Sequence, residues 1–290
     1  MITLDEWQQQ GHYVSVNGQQ IFVRDAGDKS ATALLLIHGY PSASWDWEGM
    51  WEVLTRHYYV ITLDMLGFGL SDKPKHARYL ISEQADIYEF VLQTLGVNSY
   101  HILAHNYGDT VAQELLARQV NAENAFDIGS VCFLNGGLFP EMHKPILIQK
   151  LLLSPFAPLV AKVVNKRKFA SNLKHIFGPQ TPPSAEVIDT LWQLLLYNDG
   201  LAVMHKLISY IPQREQNRER WVNAIICSTV PVKLIAGAKD PISGQHMIDY
   251  YRILIPNANV TAMPMLGHYP QIENAEVITT AYLEFRNSAR

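Results

Sequence analysis

Cysteine is almost missing from this chain: Cys132 and Cys227 are the only two among 290 residues. That excludes a disulfide framework as the source of stability, and isolated thiols fit a reducing compartment. Cys132 sits in the apolar run 131–134 and reads as a small buried hydrophobe; Cys227, after Ile225 and Ile226, reads the same way. Charge is sparse too, at 17% of residues, and of balanced sign, with 23 basic against 27 acidic side chains and a net charge of −4. Such a balance gives no electrostatic case for nucleic acid or for an anionic membrane. The densest basic stretch, residues 214–220, also carries Glu215 and Glu219 and reads as a solvated helix face. Long apolar runs are lacking as well. Residues 151–164 come nearest, but Pro155, Pro158 and Lys162 interrupt them, and the run is too short to span a bilayer. Residues 1–10 are polar and acidic, without the basic-then-apolar order of a signal peptide, so the expected location is cytoplasmic.

What the chain does have is apolar material in a definite order. Hydrophobic residues make up 48% of it, enough for a large core in a chain of this length. Residues 13–16 and 21–23, split by Asn17-Gly18, read as an antiparallel hairpin. Apolar runs follow at 33–37, 59–63, 100–103 and 131–134, the first three each leading through turn residues into a stretch of helical length. Strands buried on both faces look like this, as in a parallel sheet covered by helices. After Asn135-Gly136-Gly137 the pattern turns helical and proline-punctuated until about Trp221. Strand and helix then alternate again at 232–236, 245–254, 259–263 and 273–285. The expectation is an α/β chain with a mostly parallel sheet, a core of residues 1–136 and 216–290, and a helical lid of 137–215 over the sheet's carboxyl edge. Ligands bind at that edge in open α/β sheets.

Three strand ends carry chemistry-bearing residues. The run 100–103 enters Ala104-His105-Asn106-Tyr107-Gly108-Asp109 and then a helix, the setting of a nucleophile elbow, with small residues flanking a strained central side chain. Asp240, before Pro241, follows the 232–236 strand, and His268 alone among 11 histidines lies between the last strand and the last helix. The order elbow, Asp, His matches that of α/β-hydrolases. His38-Gly39-Tyr40-Pro41 follows the third strand, where a backbone N–H of Tyr40 can meet developing negative charge together with that of Tyr107. The glycine-rich segment 64–74 lacks the strand-GxxxxGK[ST]-helix arrangement of a phosphate loop and reads as structural. His38, His105 and His268 lie on separate loops without ligand-type spacing, so no metal and no other cofactor is implied.

The string 38–47, the segment 64–74 and the elbow 104–109 resemble the haloalkane dehalogenase and epoxide hydrolase branch of the α/β-hydrolase superfamily, and the resemblance runs nearly the whole chain. Residues 134–141, 197–200 and 210–214 look especially like mesoderm-specific transcript protein-like hydrolases. In that branch an elbow aspartate attacks carbon to form an ester, and a water activated by histidine hydrolyses it. The resemblance therefore implies Asn106 at the nucleophile position, His268 as base and Asp240 as the acid that orients it. It also implies lid tyrosines that protonate an opening epoxide, Tyr210 first and Tyr197 second, with Trp45 at the substrate. The halide grip of dehalogenases is missing: Tyr40 and Tyr107 stand where that branch carries an Asn or similar group and a Trp. The expected substrate is a small, largely apolar electrophile.

Asn106 departs from the pattern, because an amide is a far poorer nucleophile than a carboxylate. Three accounts are open at this point: an engineered Asp→Asn change, a native Asn deamidated in place by water that His268 activates, or a catalytically silent ligand-binding pseudoenzyme.

Overall fold

The computed structural model describes residues 2–157, 160 and 163–288. Four members of the 151–164 run, Pro158, Leu159, Ala161 and Lys162, lie outside the described residues. Among those described, no helix is long and apolar enough to cross a membrane.

Eight strands form one sheet: β1 (His12–Val16), β2 (Gln19–Ala26), β3 (Ala33–Ile37), β4 (Tyr59–Leu63), β5 (Ser99–Ala104), β6 (Asp127–Phe133), β7 (Val232–Gly237) and β8 (Asn259–Met263). Their order is β1-β2-β4-β3-β5-β6-β7-β8. The pairs β1–β2 and β2–β4 are antiparallel, and every pair from β4 to β8 is parallel. Asn17 and Gly18 close the β1–β2 hairpin with φ of 50° and 79°, the left-handed pair a two-residue hairpin loop requires. Every residue of β3 and β4 is buried, which is why these strands read as continuous apolar runs rather than alternating ones.

Alternation survives as a division between two layers. Leu35, Ile37 and Ile102 join Tyr88, Val91, Val111 and Leu115 on one face, from helices Ile81–Thr94 and Tyr107–Val120. Leu34, Leu36 and Leu103 join Met50, Leu54, Ile278 and Tyr282 on the other, from Glu48–Thr55 and Ala275–Ser288. Between β6 and β7 every described element is helical, from the short turn Pro140–Met142 to the helix Arg218–Ile226. That last helix packs along Tyr107–Val120. Leu152, Leu173 and Met204 of the β6–β7 connection share a cavity wall with Tyr40, which follows β3, and His268, which follows β8.

Candidate active site

The end of β5 turns into helix Tyr107–Val120 through Asn106, whose backbone sits at φ 55° and ψ −103°. That conformation costs an Asn of order 1–3 kcal/mol and persists only where neighbours over-determine it. Gly108 shows how. A Cβ there would lie 2.4 Å from the Ile37 carbonyl oxygen and 2.6 Å from that of His38, so only glycine lets the helix start against the end of β3. Ala104, buried in the last position of β5, is small enough without being glycine.

The three strand ends converge. Asn106 Nδ2 donates to His268 Nε2 at 3.0 Å, and His268 Nδ1 donates to Asp240 Oδ2 at 2.7 Å. All three residues are buried. Asp240 is held from several sides: Ser243 donates to Oδ2 at 2.6 Å, Asn135 to the same oxygen at 3.1 Å, and the Ile242 N–H to Oδ1 at 2.7 Å. Burial pushes the Asp240 carboxyl up, but the adjoining His268 and these donors outweigh it and bring it down to about 2. An ionised Asp240 accepts only, so His268 carries its proton on Nδ1 and turns a lone pair toward residue 106. His105 secures the same junction from behind, its Nε2 donating to the His268 carbonyl at 2.7 Å.

The Tyr40 N–H donates to Asn106 Oδ1 at 3.0 Å, so the group expected to meet an oxyanion already meets the side-chain oxygen of residue 106. Tyr107 begins the helix, where backbone N–H groups lack an intrahelical acceptor. Tyr210, at the head of helix Tyr210–Gln216, is fully buried with its ring 4.9 Å from that of Tyr107 and 6.1 Å from that of Tyr40. Its hydroxyl has no hydrogen-bond partner among the described residues and neighbours the Asn106 and Gln149 side chains. Burial raises its phenol; the Arg214 guanidinium and Asn106 draw it partly back.

Arg214 corrects the expectation of a solvated face over 214–220. It is 2% exposed, with Nη2 donating to the Asn106 carbonyl at 2.7 Å, Nε donating to Thr110 Oγ1 at 2.6 Å, and its guanidinium 4.5 Å from the centre of the Tyr210 ring. Only the later arginines turn outward, Arg218 to Glu141 and Arg220 to Glu114 and Glu123. The signal was helical spacing: Tyr210, Gln213 and Arg214 share one face at i, i+3 and i+4, and all three are buried.

Two other expected residues are elsewhere. Tyr197 is 36% exposed, beside Tyr13 and with the Lys73 ammonium 5.2 Å from its ring centre, so it is not brought to the elbow. Neither of these partners belongs to the elbow, and the chain kinks after Tyr197 at Asn198 and Asp199. Trp45 is buried in the other layer with Trp47 and Leu70, because the turn Ser44–Trp47 carries it beneath Asp64, which accepts from the Ser44 N–H at 2.7 Å. The segment 64–74 is structural in that sense. A cavity of about 410 Å³ ends at His268 and Tyr40, and its walls are mostly apolar, including Leu152, Leu173, Ile176 and Met204. Among the described residues, no group of three His, Cys, Asp or Glu side chains is placed to hold a metal.

A strained elbow, a buried His–Asp pair and a cavity at the carboxyl edge of a mostly parallel sheet belong together. Residues 32–275 match the family model described as alpha/beta hydrolase fold. The chain belongs to the α/β-hydrolase family. Within it, the mesoderm-specific transcript homolog proteins of Bos taurus and Homo sapiens are each 40% identical over 295 residues, covering 98% of this chain and 88% of theirs. Among solved structures, haloalkane dehalogenase DbeA from Bradyrhizobium elkani superposes with a TM-score of 0.79 at 18% identity, over 96% of this chain and 98% of that one. Epoxide hydrolase CorEH superposes with a TM-score of 0.77 at 20% identity, over 97% and 99%. At those identities the two structures speak for the fold.

Proposed function

We propose that this α/β-hydrolase acts on small, largely apolar electrophiles through an ester on residue 106, most like an epoxide hydrolase. One observation carries the reading: the side chain of residue 106 lies 3.0 Å from both His268 Nε2 and the Tyr40 N–H, beneath the Tyr210 hydroxyl. With a carboxylate at 106, an oxygen attacks an epoxide carbon, the C–O bond breaks, and Tyr210 gives its proton to the departing alkoxide. His268 then removes a proton from water as that water adds to the ester carbonyl. The N–H groups of Tyr40 and Tyr107 hold the oxyanion and Asp240 stabilises the imidazolium; on collapse the imidazolium protonates the departing alkoxide, which frees the diol, and the carboxyl proton at 106 returns to the Tyr210 phenolate.

As an amide, residue 106 does not alkylate. The active form in this proposal carries a carboxylate there, either because Asn106 replaces an Asp or because the amide is hydrolysed in place. Residues 137–215 serve as the lid over a core of 1–136 and 216–290, a division supported by Leu173, Ile176, Met204 and Tyr210, which all come from that stretch. A halide preference is disfavoured by Tyr40 and Tyr107, neither of which offers the Asn and Trp donors that grip a leaving halide.

The test is Asn106→Asp assayed against a panel of epoxides, alkyl halides and esters. Diol formation from epoxides, raised by several orders of magnitude over the parent, is expected when a catalytic unit regains its missing member. An Asn106→Asp protein inactive across the whole panel would overturn the enzyme reading and leave a small-ligand-binding pseudoenzyme.

A further inference from the structure

The balanced charge of the whole chain conceals a lopsided distribution. Residues 142–185 contain no Asp or Glu but hold six lysines and Arg167, leaving 16 basic against all 27 acidic residues elsewhere. Lys166 is paired with Asp189 at 2.6 Å, whereas Lys150, Arg167 and Lys168 are exposed and have no ion pair among the described residues. The same stretch exposes large apolar side chains: Leu147 at 72%, Phe156 at 68% and Val163 at 59%. Scattered exposed hydrophobes are ordinary on a protein surface, but these lie within 17 residues of sequence, and Leu147, Leu151 and Val163 line the cavity that ends at His268, with Lys168 beside them. The exposed ends of the cavity wall are therefore apolar, and the Lys168 side chain that lines the cavity with them is basic. Aqueous small molecules need neither feature at an entrance. Apolar side chains amid lysines and arginines are what a surface needs to lie in the headgroup region of an anionic bilayer.

We propose that this face docks peripherally on an anionic lipid membrane, without spanning it, so that the cavity opens toward the bilayer and takes its apolar substrate from there. Phe156 and Leu147 enter the boundary between headgroups and acyl chains, while Lys150, Arg167 and Lys168 meet lipid phosphates and carboxylates. Binding should therefore need both components and weaken as salt rises.

Co-sedimentation of the full chain with two vesicle preparations tests this, one of phosphatidylcholine alone and one of equal parts phosphatidylserine and phosphatidylcholine. Binding to the anionic vesicles is expected, lost at high salt. Two variants separate the components. Leu147→Glu/Phe156→Glu removes the apolar insertion, and Lys150→Glu/Arg167→Glu/Lys168→Glu removes the charge; each should reduce partitioning by roughly tenfold or more. All five side chains are exposed, so unchanged circular dichroism is expected to accompany the loss. No sedimentation with anionic vesicles, or sedimentation that ignores both variants, would overturn the proposal. So would a concentration-dependent dimer abolished by Leu147→Glu/Phe156→Glu in a protein that ignores vesicles, which would assign the face to a second copy. None of these readouts depends on turnover, so they are independent of the chemistry proposed at residue 106.

Discussion

Arg214 Nη2 donates to the backbone carbonyl of Asn106 at 2.7 Å, so the strained residue of the elbow is gripped by a guanidinium that has itself been taken out of water. The same guanidinium lies against the Tyr210 ring and donates to Thr110 in the first turn of the elbow helix. One planar group thus fixes residue 106 relative to the tyrosine proposed to serve it, which makes Arg214 a positioning residue. In the Asn106→Asp background, Arg214→Met should lower kcat by roughly one to two orders of magnitude with little change in KM, as misplacement rather than lost binding does. It should also cost roughly 2–4 kcal/mol in urea unfolding, because buried partners are left unpaired. Arg214→Lys keeps the charge but loses the fork, so it should recover stability better than turnover. Equal recovery of both would reduce Arg214 to a packing role.

Arg214 also shows where the sequence stops being readable. The strands and the elbow were legible because each rests on local physics, continuous apolar runs and a tight turn with small flanking residues; Asp240 and His268 were legible through their order along the chain, which matches that of α/β-hydrolases. Arg214 was hidden by its neighbours Glu215 and Glu219, which face solvent while position 214 rotates inward with Tyr210 and Gln213. Trp45 and Tyr197 were misplaced for a related reason. Aromatic identity and proximity to a motif do not fix direction; a short turn sends Trp45 into the opposite layer, and a kink leaves Tyr197 at the surface beside Lys73. The one-signed stretch 142–185 was averaged away by counting charge over the whole chain.

The hydroxyl of Tyr210 gives a narrower test. In the Asn106→Asp protein, Tyr210→Phe should slow epoxide opening by about 10²- to 10⁴-fold, the usual worth of a positioned general acid. Alkyl halides expel an anion that needs no proton, so their hydrolysis should change far less in the same variant. Comparing the two substrate classes separates proton donation from a packing defect, which would slow both. Equal slowing would remove the hydroxyl from the mechanism.

Away from the site, His101 sets an acid limit on stability. Arg286 Nη2 donates to His101 Nε2 at 2.8 Å, and Ser130 Oγ lies 3.0 Å from Nδ1, so the ring is held neutral. Burial, reinforced by the Arg286 charge, pushes the His101 imidazole down to about 4. Below the ordinary histidine value near 6.5 the unfolded chain therefore binds a proton that the folded chain refuses. The neutral ring contributes fully above pH 6.5, and its contribution is lost as pH falls from there toward 4. Urea unfolding at a series of pH values should show stability declining over that window, and His101→Gln should make the decline shallower, with the His38, His105 and His143 imidazoles, also pushed down by burial, accounting for the rest. A parallel curve for the variant would place the titration in another group.

The amide of Asn106 faces the same machinery as an ester would. A water activated at His268 Nε2 can add to the side-chain carbon with its oxygen held by the Tyr40 N–H, 3.0 Å from Oδ1. Collapse of that adduct with the amine protonated releases ammonia and leaves an aspartate. The rate should be low, because an amide is a poorer electrophile than an alkyl ester and its Nδ2 now occupies the hydrogen bond His268 would offer to water. Stored protein should nevertheless gain about one dalton at residue 106, the mass difference between amide and acid, while hydrolytic activity rises in step. Peptide mapping across an ageing series follows both the site and the isomer. Spontaneous deamidation through a backbone succinimide gives isoaspartate as well as aspartate and needs no imidazole, whereas the in-place route gives aspartate alone and stops in His268→Gln. Isoaspartate at 106, or conversion at the parent rate in His268→Gln, would show that the elbow does not direct water at its own side chain.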